Sequence, residues 1–148
     1  MTDVYPVRRG ATTTGRVVVW VQLVLLVAYL IGSFGILVLA AVRADDLGAL
    51  LHPGLGRLDD PKASMDIGPD SLWNPLVWIL GVCRLIAWLV YPIGIAMVLF
   101  GLATLVHAVR SGDRRGTARL AVLSAVWLGL LLLAATPYGT ALTVWLLD

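Results

Sequence analysis

Three long apolar runs dominate the chain, separated by two polar stretches. The first covers residues 17–42 and is closed at both ends by arginine, Arg16 and Arg43. Its 26 residues make a helix of about 39 Å, enough to cross a hydrocarbon core of about 30 Å with some tilt. A cleavable signal segment has an apolar region of only about 7–15 residues. The run therefore reads as an uncleaved transmembrane helix behind a cytoplasmic tail, residues 1–16. Residues 43–71 form a loop rich in Pro, Gly and Asp, with six acids against three bases. The second run, residues 72–109, holds 38 residues and as one helix would reach about 57 Å, far beyond one crossing. The third begins at residue 120, after the arginine-rich stretch 110–119.

Charge decides how the second run is used. The tail carries Arg8, Arg9 and Arg16, and the 110–119 loop carries four arginines against one aspartate. The positive-inside rule places both in the cytoplasm, which requires an even number of crossings between them. The second run then crosses once. Its first part, residues 72–87, is expected as an apolar helix lying at the outer interface, and residues 88–109 as the second span. The third span covers 120–137, and 138–148 is an outer interfacial segment behind the helix-breaking TPYGT at 136–140. The expected fold is all-α: an integral membrane helical bundle of three transmembrane helices with a short interfacial helix before the second span. The N-terminus is expected inside and the C-terminus outside.

Composition agrees with a lipid environment. The chain is 59% hydrophobic and only 14% charged, with a mean hydropathy of +0.91; soluble domains carry about a quarter charged residues. Ten arginines accompany one lysine, and every acid is aspartate. With abundant Ala, Gly and Val, this fits a high-GC bacterial genome and a bacterial cytoplasmic (inner) membrane location. The net charge of +2 is too small and too segregated to suggest nucleic acid.

One charge stands inside an apolar run, Arg84 in ILGVCRLIAWLVYP. Arg84, Trp88 and Tyr91 fall at i, i+4 and i+7, on one helical face. Tryptophan and tyrosine favour the headgroup level, where arginine also snorkels. With no acid in any apolar run to pair it in a cavity, Arg84 is read as an interface anchor together with Trp88, Tyr91 and, at the far end, Trp145.

Small residues supply the packing signal. Ala87, Gly94, Gly101 and Ala108 recur every seven positions, the spacing that keeps one seam facing a partner helix and lets backbones approach. Ala121, Ala125 and Gly129 repeat every four in the third span, and Ala28 and Gly32 do so in the first. The few polar residues within the spans, Gln22, Ser33, Thr104, Ser124 and Thr136, are expected as interhelical hydrogen-bond partners.

Catalytic chemistry is scarce. The two histidines, His52 and His107, fall on opposite membrane faces in this topology and cannot share a site within one chain. Cys83 is the single cysteine, the aspartates of the 43–71 loop lack the spacing of a calcium loop, and no glycine loop cradles phosphate. No catalytic residue, metal site or cofactor is expected. The expected partners are the lipid bilayer and another helix, from a second copy or a different membrane subunit. The expected function is that of a non-catalytic accessory subunit of a membrane assembly, docking through small-residue seams. The alternative is a self-assembling pore of the holin or depolarising-effector kind.

Overall fold

The computed structural model describes residues 10–54, 56–64 and 73–147. Residues 1–9, 55, 65–72 and 148 lie outside it, and with them the expected positions of Arg8, Arg9, Asp66 and Asp70.

Among the described residues the chain is all-helical, with no strand. Helix α1 (Gly10–Leu30) runs without interruption through a π-helical turn (Ile31–Gly35) into α2 (Ile36–Arg43), so the stretch expected as tail is partly helical. Ser33 Oγ donates to the Tyr29 carbonyl at 2.6 Å, and the Ile36 amide reaches back five residues to Ile31. That is the wider bonding of a π turn, which inserts one extra residue into the ladder. Asp45, with φ 51°, ends the run in the left-handed region, which aspartate tolerates better than most residues. A 3-10 turn (Leu47–Leu50) and the short α3 (Pro61–Ser64) come next.

Helix α4 (Pro75–Trp88) begins where Asn74 caps the Leu76 amide at 3.0 Å and Pro75 takes the first helical position, both favourable starts. It ends at Leu89 (φ −83°, ψ 26°), and α5 (Val90–Ser111) starts at once. Pro92 explains the break. Its ring clashes with the carbonyl four residues back, that of Trp88, and it has no amide to donate there. In the first turn of α5 that missing donor costs nothing.

The α5–α6 connection differs from the expected ten-residue basic loop. Only Gly112 and Asp113 separate Ser111 from α6 (Arg114–Ala134). Gly112 adopts φ 75°, a conformation that glycine takes freely, and Asp113 caps the Gly116 amide at 3.0 Å. Arg114, Arg115 and Arg119 are therefore helical, and α6 starts earlier than residue 120. It stops before Pro137, because the residue preceding a proline avoids the α region. Thr136 Oγ accepts from the Gly139 amide and opens α7 (Pro137–Leu147).

Three helices are long and apolar enough to cross a membrane: Gly15–Arg43, Val90–Ser111 and Arg114–Ala134. Helices α5 and α6 pack along their length, and α1 packs on both. Helix α4 lies across α1 and the π turn and meets α7. At one end the 3-10 turn and α3 form a cap over α2, where Ile36, Leu37, Ala40 and Ala41 are buried. Three side chains tie this cap down: Tyr138 Oη donates to the Leu50 carbonyl at 3.0 Å, Trp145 Nε1 to that of Asp59 at 3.2 Å, and Arg43 Nη1 to that of Ala63 at 3.1 Å.

Candidate functional site

The small-residue faces fall into two groups. The seven-residue seam is closed within the chain: Ala87, Gly94, Gly101 and Ala108 are all buried. A β-carbon on Gly94 would lie 2.7 Å from Leu131 of α6, and one on Gly101 would meet Ser124 Oγ and lie 2.6 Å from Gln22 Nε2. At Gly101, α1, α5 and α6 converge. Ala28 is half-buried, and Gly32 is buried directly against the backbone carbonyl of Cys83. The third stripe is different. Ala121, Ala125 and Gly129 are exposed on α6, and a β-carbon on Gly129 would meet no atom within 4 Å. Large exposed residues, Val122, Leu128 and Leu132, flank it.

The polar residues within the expected spans do less between helices than their positions suggested. Gln22 alone bridges two helices, donating through Nε2 to the Met97 carbonyl of α5 at 2.9 Å. Ser33, Thr104 and Thr136 bond carbonyls of their own local turns, the back-bonding that hydroxyls readily make in helices. Gln22 Oε1, Ser124 Oγ and Trp127 Nε1 are buried with no protein partner among the described residues. Trp127 packs beside Tyr29 with ring centroids 6.3 Å apart.

The four expected anchors are also sorted. The Leu89 break separates Arg84 and Trp88, on α4, from Tyr91, on α5. Tyr91 is exposed along its ring and donates through Oη to the Ala134 carbonyl at 3.0 Å, fastening the start of α5 to the end of α6. Trp145 is 1% exposed; it sits inside the protein, holding the cap, and not at a lipid surface. Arg84 is part-buried, and its Nε donates to the Leu146 carbonyl of α7 at 2.6 Å. Beside it a groove of about 230 Å³ opens to the surface, walled by Gly81, Leu85, Trp88, Leu146 and Leu147.

Sequence reasoning missed the Arg84–Leu146 pairing. One general signal was present, since the last carbonyls of a helix lack intrahelical donors and attract a cation. A contact across 62 positions leaves no local trace. His52 and His107 are exposed on separate elements. Among the described residues, no three His, Cys, Asp or Glu side chains gather as a metal site. Cys83 is buried, and desolvation pushes its thiol above its ordinary pKa, away from thiolate reactivity. Comparison with protein-family models, curated proteins and solved structures finds no match.

Proposed function

We propose that the protein is a three-span membrane protein that serves as a non-catalytic partner subunit, docking another membrane helix on the exposed Ala121–Ala125–Gly129 face of α6. The spans are α1 with α2, then α5, then α6. The N-terminus and the arginine-rich α5–α6 turn face the cytoplasm, and the 44–64 cap lies outside, across a bacterial inner membrane. Exposed valines and leucines on all three long helices, with Trp20 on the first, support a lipid surround, because soluble monomers rarely leave so much contiguous apolar surface uncovered.

The observation that carries the docking reading is the contrast between the two groups of small residues. The α5 seam and Gly32 are consumed by contacts within the chain. The α6 stripe has the same chemistry and stays exposed among the described residues. In lipid, helix association depends on close backbone approach and van der Waals contact, which such a stripe permits. The test is the mass and composition of the complex extracted from its native membrane in mild detergent. A stoichiometric foreign membrane protein supports the partner role. A homo-oligomer alone transfers the reading to a self-assembling pore, and a stable monomer refutes both.

A further inference from the structure

The groove beside Arg84 combines one cation with an apolar wall. Arg84 engages the Leu146 carbonyl through Nε alone, leaving the terminal guanidinium nitrogens for another acceptor. No described carboxylate lies within ion-pairing distance of it. The bond to Leu146 pins the guanidinium at the groove, so little side-chain freedom remains to be lost on binding. Leu85, Trp88 and Leu147, exposed and continuous with the outer surface of α4 and α7, form an apolar shelf beside it.

We propose that this groove binds one anionic phospholipid, with the headgroup phosphate on the Arg84 guanidinium and an acyl chain along Leu85, Trp88 and Leu147. Guanidinium matches phosphate through paired charge-assisted hydrogen bonds, and tryptophan is suited to the headgroup boundary. Charge complementarity sets the lipid class. The described lining contains a cation and no acid, which favours a headgroup of net negative charge over a zwitterionic one. The inference rests on the three-span reading, in which this end of the molecule meets the outer leaflet.

The test uses the full-length protein in a nonionic detergent, with bound lipid counted by native mass spectrometry. The probes are phosphatidylglycerol, phosphatidylethanolamine and inorganic phosphate. The expected result is a single phosphatidylglycerol, preferred over phosphatidylethanolamine and not displaced by inorganic phosphate. Arg84→Gln should weaken it about tenfold, the loss expected for one charge-assisted contact, while Arg110→Gln at the opposite end leaves it unchanged. If Arg84→Gln fails to fold, Leu147→Asp puts a carboxylate in the groove, leaves the Arg84–Leu146 bond intact and should cause the same loss. Undiminished binding in a folded Arg84→Gln or Leu147→Asp protein overturns the site. So does equal binding of phosphatidylethanolamine, or displacement by inorganic phosphate, which would mark a simple anion site. Membrane insertion is scored separately by resistance to alkaline carbonate extraction. Failure of the inserted wild-type protein to retain phosphatidylglycerol therefore counts against the groove alone, and extraction of the protein counts against the three-span reading.

Discussion

Gly32 of the π turn rests directly on the backbone carbonyl of Cys83 in α4. No side chain separates the two backbones at this crossing, and a β-carbon has no space that a rotamer change could provide. Gly32→Ala should therefore push α4 away from α1, destabilising the protein by about 1–3 kcal/mol, the usual range for overpacking. Thermal unfolding in detergent measures it. Gly129→Ala is the control: the site is open, and stability should hold or rise by up to about 1 kcal/mol through helix propensity.

Ser124 predicts a change of the opposite sign. Its Oγ is buried without a partner among the described residues and crowds Gly101, and an unsatisfied buried hydroxyl costs about 1–3 kcal/mol. Ser124→Ala should leave stability unchanged or raise it by about 1 kcal/mol. A loss of more than about 1 kcal/mol would mean that the hydroxyl has a partner in the membrane.

The cap has its own pH signature. Tyr138 donates to the Leu50 carbonyl, and burial raises its pKa above the ordinary 10.0. A raised folded-state pKa means that the folded protein holds the proton after the unfolded chain has lost it. The contribution is complete below pH 10.0 and disappears as pH rises through the folded value. Tyr138→Phe should lower stability by about 1 kcal/mol at neutral pH, with the gap from wild type closing in alkali. Unfolding midpoints of the two proteins across that range give the answer.

How much of this was legible in the sequence depended on the range of the interaction. Local chemistry was readable: Pro92 breaks the 75–111 helical run at Leu89, and Pro137 opens α7. The arginines of 110–119 read as a loop because the positive-inside rule expects such charge between spans, on the cytoplasmic side. The turn needed only Gly112 and Asp113, one to reverse the chain and one to cap α6. Spacing alone could not say which small-residue stripe would be closed. Gly94 and Gly129 sit in similar patterns, yet one faces Leu131 and the other open space. That difference comes from how α5, α6 and α1 turn toward one another. Trp145 has the same lesson: it resembles an interface tryptophan until the carbonyl of Asp59, 86 positions away, closes over its indole nitrogen.

The most direct test compares leucines placed on the two faces. Ala125→Leu with Gly129→Leu fills the open stripe of α6, and Gly94→Leu with Gly101→Leu overfills the closed seam of α5. Each form is extracted from native membranes, and the mass and composition of its complex are measured beside its own thermal stability. The account predicts that the α6 form inserts and keeps wild-type stability but loses its partner, while the α5 form loses its own fold. An α6 form that retains the wild-type complex would contradict the claim that this face is where the protein docks.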